Sequence, residues 1–316
     1  MLSRTAENIF WIGRLVERAE NMARLVEMGH RMTMIPATGT GHRSEWQSIV
    51  SAAGQIQSFE ENYDFFDQRS ISEYLIFDND NPSSIRNCLR QARENARAVR
   101  TALTGDMWMA INETWIELRD MRMADVDEEG LQSFLDWIKA RTAQFRGATE
   151  SGALRTDGYD FQRIGTFLER ADNMARLLDV KYYVLLPETE AAGGGIDNYQ
   201  WTTILRAVSS LRAYHHIYKT DYQPWYIADF LILNPQSPRS LMHCYEGIGD
   251  HLTRIARRYG HRTVSQSMAD ATIARLFDQE MSDIFEEGLH EFLTAFVRDN
   301  NQLAAQLADD FHFGWR

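Results

Sequence analysis

A glutamate, an asparagine and two arginines lie close together in a segment with helical periodicity. Within Ile12–Leu25, Glu17, Asn21 and Arg24 follow at spacings of four and three residues, which places them on one side of a helix, with Arg18 at its edge. Side chains at this spacing can fix each other's rotamers or dock a peptide carboxylate or amine. If burial raised the pKa of the glutamate, it could also act as an acid or base.

The chain contains this pattern a second time, 152 residues later. Ten of sixteen residues are identical between Ile12–Glu27 and Ile164–Asp179, far more than chance produces. Identity at a constant offset indicates an internal duplication with two equivalent halves. The polar stripe, as we call the repeated set, comprises Glu17, Arg18, Asn21, Arg24, Glu169, Arg170, Asn173 and Arg176.

Three interpretations of the polar stripe remain open. In the first, it is a buried seam between the two copies of the helix, where Glu17 pairs with Arg170 or Arg176 and both asparagines satisfy leftover donors. In the second, the same residues line a binding or active site, and in the third they form a solvated face. The seam is favoured because charged side chains are rarely buried without a partner, and it is compatible with a site.

A glycine precedes the acid by one helical turn in both copies. Gly13 and Gly165 each cost a helix about 1 kcal/mol relative to alanine. A residue without a Cβ lets another backbone approach closely, so these glycines predict a close helix crossing next to the polar stripe.

The elements that position the stripe are predicted to be helices throughout. Ser3 is a plausible N-cap of the first, and Asn81-Pro82 has the N-cap and first-turn proline signature of another. Helical periodicity, interrupted by proline and glycine, predicts helices at about 3–32, 44–59, 63–78, 82–103, 107–121, 128–146, 160–186, 241–259, 267–285 and 285–311. Two further helices are predicted to begin at about 197 and 224.

These patterns predict an all-α fold, an internally duplicated multi-helix bundle with two pseudo-equivalent halves. Residues 1–150 form the first helical repeat and 151–316 the second, with one compact domain as the alternative. The chain of 316 residues is 44% hydrophobic, enough to bury a large core.

Charge and composition restrict the partners. A net charge of −12 disfavours nucleic acid and anionic membranes, both of which need clustered Lys and Arg. The sequence has no apolar run of about eighteen residues and no signal-peptide pattern at its start, so a cytoplasmic location is expected. Two cysteines without metal-type spacing fit a reducing compartment.

Other candidate groups favour structural roles. Glu27 with His30, and Glu287 with His290, have the spacing of helical di-iron ligands. The second copy has Asp179 and Tyr182 where the first has Glu27 and His30, so ordinary surface pairs are expected, with no metal and no cofactor. His215-His216 is assigned a capping or surface role. Cys88 and Cys244, which follows His243, are predicted to be buried small hydrophobes, and Trp46 and Trp201 core anchors. The three glycines at 193–195 indicate a linker.

The opening MLSRTAENIFWIGRLVERAENMARLVE and the recurring LERADNMARLL resemble the bacterial alpha-E family. The resemblance covers essentially the whole chain and implies an all-helical protein of undefined activity. It also implies partners, because genes of this family commonly lie beside, or are fused to, those of a circularly permuted ATP-grasp ligase and a transglutaminase-like cysteine peptidase.

Three functions follow from the resemblance and the stripe taken together. The leading one is an accessory or binding component of a peptide- or amide-bond-forming modification system, which binds those partners or their peptide product. The second is a helical enzyme acting on a peptide through the duplicated stripe, which requires a glutamate with a raised pKa. The third is a purely structural helical scaffold.

Overall fold

The computed structural model describes residues 1–33, 43–126, 130–184, 195–220 and 222–314. The described chain is all-helical, with fifteen α-helices, two short 3₁₀ turns and no strand. None of these helices combines the length and apolar character that crossing a bilayer requires. The helices are α1 Ser3–Met32, α2 Arg43–Ala52, α3 Ile56–Glu60, α4 Gln68–Ile76, α5 Ile85–Ala98, α6 Gly105–Leu118, α7 Leu131–Gly152, α8 Asp157–Val184, α9 Gly195–Ala207, α10 Leu211–Tyr218, α11 Pro224–Ile232, α12 Leu241–Tyr259, α13 Val264–Asp278, α14 Met281–Glu287 and α15 Leu289–Asp310.

Helices α1 and α8 pack against each other more extensively than any other pair and form the centre of the fold. Helices α5 and α7 cover α1, and α12 and α15 cover α8. The apolar side of α1 is therefore buried, and so are four of its polar residues, Glu17, Glu20, Asn21 and Glu27. Polar groups that are removed from water in this way must find partners within the protein.

The crossing of α1 and α8 depends on two glycines. A Cβ on Gly13 would overlap the carbonyl oxygen of Gln162, and it would lie 3.1 Å from the carbonyl carbon. A Cβ on Gly165 would overlap the carbonyl oxygen of Phe10 in the same way. Both helix backbones thus approach through a gap that any other residue would close, as the sequence predicted.

The helices of the two halves follow the same order and nearly the same register. Helices α4 and α11 are nine residues long and begin 156 residues apart, as do the starts of α5 and α12. Helices α7 and α15 are 22 residues long and begin 158 residues apart. Helix α2 packs against α8, and α9 against α1, so each half reaches across to the central helix of the other.

Several helix ends differ from the sequence-based expectations. Helix α1 is capped by the backbone at Leu2, and Ser3 is already its first residue. Helix α5 starts at Ile85, and Ser84 is its N-cap. The Asn81 side chain accepts a hydrogen bond from the Ser83 amide at 2.9 Å and donates one to the Tyr74 carbonyl, so it closes a turn before the helix. The Asn81-Pro82 signature was therefore wrong as a helix start.

Two predicted helices are shorter than expected. The segment 44–59 is interrupted after Ala52, where Gly54 has a φ of +70°, a conformation that ends a helix. In the segment 63–78 only Gln68–Ile76 is helical, with Asp67 as its N-cap. The predicted 267–285 helix is also two helices, α13 and α14, and most of the predicted glycine linker lies outside the described residues.

Candidate functional site

The two Glu-Arg dipeptides of the stripe exchange partners across the α1–α8 crossing. Arg170 donates from Nε to Glu17 Oε1 at 2.8 Å and from Nη2 to Oε2 at 3.0 Å. Arg18 donates from Nε to Glu169 Oε1 at 2.5 Å and from Nη2 to Oε2 at 2.9 Å. Each acid therefore receives a two-pronged ion pair from the arginine that follows the other acid. Such pairs are geometrically specific as well as strong.

Both acids are almost completely removed from water. The exposed fraction of Glu17 is 1% and that of Glu169 is 2%. Each also meets a second arginine: Arg14 bonds to Glu169 at 2.9 Å, and Arg239 lies 3.3 Å from Glu17. Of the two partners that the seam interpretation allowed for Glu17, the fold uses Arg170.

A further acid, Glu20, enlarges the cluster at the first copy. It accepts hydrogen bonds from Arg24 and Arg239, both at 2.7 Å, from Thr142 at 2.9 Å, and from Arg146. We call these charged residues the first cluster, and its members are Glu17, Glu20, Arg24, Arg146, Arg170 and Arg239. Two acids thus face four arginines, and the cluster carries excess positive charge.

The matching cluster in the second copy is smaller. Glu169 is paired with Arg14 and Arg18, and Asp172 with Arg176 at 2.7 Å. By helix register, the positions of Arg239 and Arg146 are occupied by Ser83 and Ala304 there. The chemistry of the two copies is therefore unequal although their leading helices are alike.

The two asparagines do not fill the predicted bridging role. Asn173 donates to the backbone carbonyl of Glu169 at 2.8 Å, one turn back on its own helix. The side-chain nitrogen of Asn21 is buried and has no hydrogen-bond partner in the part of the chain that the structure describes. The expectation that both satisfy leftover donors was wrong among the described residues, because the arginines reach the acids directly.

A narrow, partly enclosed pocket opens at one end of this seam; it spans about 350 Å³ including its open mouth, but its cavity volume is only about 20 Å³, enough for one small polar group. It brings together Asn21, Arg24, Arg170 and Asn173 of the stripe with Arg239 of the loop before α12. Aliphatic side chains from α1, α8 and the end of α9 form the rest of its wall. The remaining stripe residues, Glu17, Arg18, Glu169 and Arg176, do not line it.

The ion pairs determine how the buried groups titrate. Burial by itself would raise the pKa of Glu169, but Arg18 and Arg14 outweigh it and lower that pKa from 4.5 to about 2. At Glu17, too, burial raises the pKa, but Arg170 and Arg239 outweigh it and hold that pKa below its ordinary value. Burial, together with the charge of Arg24, lowers the pKa of Arg239 to about 10.

These lowered pKa values predict acid-sensitive stability. A carboxylate with a lower pKa in the folded than in the unfolded state stabilises the fold fully above about pH 5, and this stabilisation is lost as the pH falls toward 2. We therefore expect the urea midpoint to fall steeply below about pH 4. The Glu169→Gln variant, which has lost one of these groups, should show a weaker dependence on pH. An equal slope in both proteins would contradict the assignment.

Arg146 and Arg239 are site residues that the sequence did not reveal. Neither belongs to the repeated segment, and neither has a counterpart of the same type in the other half. Glu20 was visible on the polar arc of α1, but its replacement by Asp172 in the second copy gave it no special weight. No sequence signal marks the two arginines, since they reach the acids from α7 and from the loop before α12.

The remaining candidate groups have structural partners. Glu27 is held by Lys139 at 2.6 Å and by Arg31 at 2.8 Å, and His290 pairs with Asp179. His215, near the end of α10, contacts the Tyr222 hydroxyl.

The cysteines and tryptophans are buried as predicted. Burial raises the pKa of Cys88 and of Cys244 to about 12, so neither thiol is activated as a nucleophile. Trp46 and Trp201 are 2% and 5% exposed and pack in the core.

Comparison with known proteins places these features in a family. Curated relatives are uncharacterized proteins of Mycobacterium bovis and Mycobacterium tuberculosis, 24% and 23% identical over 326 residues. Each match covers 97% of this chain but 36% of the relative, so the chain spans about a third of their length. No solved structure matches the chain.

A known family matches almost the whole chain. Residues 1–312 match the Alpha-E family, described as a predicted alpha-helical domain with a conserved ER motif. This sequence contains two Glu-Arg dipeptides, Glu17-Arg18 and Glu169-Arg170, and they are the pair that exchange partners at the centre of the fold. The chain belongs to the Alpha-E family.

Proposed function

We propose that this protein is an accessory, binding component of a bacterial peptide- or amide-bond-forming system. Its partners would be a circularly permuted ATP-grasp ligase and a transglutaminase-like peptidase. One observation carries the non-catalytic part of the proposal: the acids of both Glu-Arg dipeptides are occupied by buried ion pairs that hold α1 to α8. Acids used in this way support the fold better than they support turnover.

The same observation disfavours the enzymatic alternative. A glutamate acting as general acid or base near neutral pH needs a raised pKa. In Glu17 and Glu169 the arginine partners outweigh burial and lower the pKa. A structural scaffold remains the second candidate, and the seam between α1 and α8 favours it.

The proposed ligand of the pocket is a carboxylate on an acidic peptide. The first cluster has four arginines for two glutamates, and three of these arginines, Arg24, Arg170 and Arg239, line the pocket. The unpartnered amide of Asn21 is a further donor next to them. A carboxylate at this position would neutralise excess charge and accept hydrogen bonds from guanidinium and amide groups.

We also propose that the two halves arose by duplication and act as one domain. The identical segments of α1 and α8 support the duplication, as does the matching register of α4 with α11 and α7 with α15. The packing of α2 on α8 and α9 on α1 supports a single interleaved unit, since separating the halves would expose both contacts.

Co-expression with a neighbouring ATP-grasp ligase tests the accessory role. We expect the two proteins to elute together in size-exclusion chromatography, and addition of ATP and an acidic peptide to increase the bound fraction. Separate elution under every condition would eliminate the accessory role and leave the scaffold.

A variant of the pocket tests the ligand separately. Because the Asn21 amide nitrogen has no partner among the described residues, Asn21→Leu should leave the melting temperature unchanged or higher while reducing acidic-peptide binding at least tenfold. Asn301→Leu, on the exposed side of α15, makes the same change away from the pocket and should bind as the parent does. Equal binding by all three proteins would place the peptide elsewhere.

A further inference from the structure

A second, larger concavity lies in the second half of the chain, between α11, α12 and the segment joining α13 to α14. We call it the α11–α14 groove. It encloses about 1090 Å³ including its open mouth and shares no lining residue with the pocket at the seam. Three exposed aromatic side chains line it: Trp225, Tyr226 and Phe277, which is 76% exposed. Clustered exposed rings of this kind are typical of recognition surfaces.

The charge of the groove has one sign. Asp229, Glu246 and Glu280 line it, and no lysine or arginine of the described residues does. None of the three acids has an ion-pair partner within that part of the chain, whereas the acids at the seam are all paired. The Asp229 carboxylate accepts a hydrogen bond from the Tyr218 hydroxyl, a neutral donor that does not compensate its charge. The groove therefore complements a cation.

The first half shows what kind of cation fits this location. There, the guanidinium of Arg86 in α5 donates to the carbonyl oxygens of Phe77, at 3.1 Å, and Met121. Its central carbon lies 4.8 Å from the centroid of the Phe77 ring, within the range of a cation–π contact. Arg86 thus joins the end of α4 to the segment after α6.

The corresponding residues in the second half all line the groove. By the register that relates α4 to α11 and α5 to α12, Leu233 corresponds to Phe77 and Met242 to Arg86. By the register of α7 and α15, Gln279 corresponds to Met121. The groove is therefore open where the first half contains its own guanidinium.

The surrounding positions differ in the same direction. Three more arginines of the first half are replaced in the second by residues that line the groove, and the replacements are Arg69 by Trp225, Arg90 by Glu246 and Arg122 by Glu280. The second half has thus exchanged positive side chains for an aromatic ring and two carboxylates. These changes make the location receptive to a cation from outside.

We propose that the α11–α14 groove binds an arginine side chain presented by a peptide segment of a partner protein. The guanidinium occupies the location that Arg86 fills in the first half and pairs with Asp229, Glu246 or Glu280. The neighbouring residues of the peptide pack on Trp225 and Phe277, which extend the surface beyond the space that one guanidinium needs.

A labelled five-residue peptide with a central arginine flanked by leucines is the probe, and fluorescence polarisation is the measurement. Replacing the arginine by citrulline, which has the same shape without the charge, should weaken binding at least tenfold. Free arginine amide should bind at least tenfold more weakly than the peptide. Equal binding of the citrulline peptide would overturn the proposal, and equal binding of arginine amide would overturn its peptide part.

Met242→Arg supplies the guanidinium from within and should abolish peptide binding. Met109→Arg is the matched control, because Met109 is 49% exposed on α6 and the substitution adds the same charge. It should bind as the parent does, and equal affinities in the two variants would overturn the proposal. If Met242→Arg fails to fold, Glu246→Gln with Glu280→Gln tests the same point, since both residues are exposed, and unchanged affinity there would be equally decisive.

Discussion

Gly13→Ala should destabilise this protein by about 3 kcal/mol or more. The added Cβ would overlap the carbonyl oxygen of Gln162 and lie 3.2 Å from the amide nitrogen of Thr166. These are backbone atoms of a helix and cannot rotate away, so α1 and α8 must separate. Separation would in turn lengthen both reciprocal ion pairs. The change is measured as a lower urea midpoint and melting temperature.

Gly147→Ala is the matched control. Gly147 also lies within a helix, α7, but a Cβ at this position would meet nothing within 4 Å. The same substitution should therefore stabilise the protein by up to about 1 kcal/mol, because alanine is the better helix former. A Gly13→Ala protein that unfolds at the parent's urea midpoint would show that the two helices do not cross this closely. Gly165→Ala tests the crossing from the other helix and should resemble Gly13→Ala.

Glu17→Gln should be the most destabilising change among the charged residues, at about 3 to 5 kcal/mol. The substitution removes the negative charge that pairs with Arg170 and Arg239. The guanidinium groups of these two residues, and that of Arg146 beside them, then have Glu20 as their remaining acid in the first cluster. An unpaired buried charge is costly, whereas replacing both partners by apolar residues is much less so. Glu17→Met with Arg170→Met should therefore unfold closer to the parent than Glu17→Gln does.

An exposed ion pair provides the comparison. Asp270 pairs with Arg262 at 2.5 Å, and both side chains are largely in solvent. Asp270→Asn should change the free energy of unfolding by no more than about 0.5 kcal/mol. If Glu17→Gln cost no more than Asp270→Asn, the central pairs would not hold the fold together. A folded Glu17→Gln protein that keeps its stability but loses acidic-peptide binding would instead favour a site at this acid.

The unequal clusters make the two halves of the protein chemically different, which the sequence repeat does not suggest. The seam pocket is lined by arginines and the α11–α14 groove by acids. By helix register, Ser83 stands at the position of Arg239, and Arg90 and Arg122 stand at those of Glu246 and Glu280. Segments of matching helix register thus present different surfaces. Under both proposals, one end would receive a carboxylate and the other an arginine side chain.

The sequence by itself predicted the helical class, the two leading helices and the residues that meet between them. This was possible because helical periodicity is a local property and because the repeat at Ile12–Glu27 and Ile164–Asp179 drew attention to one polar stripe. The glycines predicted the close crossing for the same reason. Helix ends at Asn81-Pro82 and Gly54 were missed, since a turn and a cap use the same residue types.

Only the tertiary structure determined which charges meet. Arg170 instead of Arg176 pairs with Glu17, and Arg146 and Arg239 join Glu20, because α7 and the loop before α12 bring side chains more than a hundred residues away into contact with α1. The groove also depends on tertiary packing, since an absent guanidinium leaves a space only when the surrounding helices are in place. Periodicity along a chain fixes the side of a helix on which a residue lies, and packing between helices decides what that residue contacts.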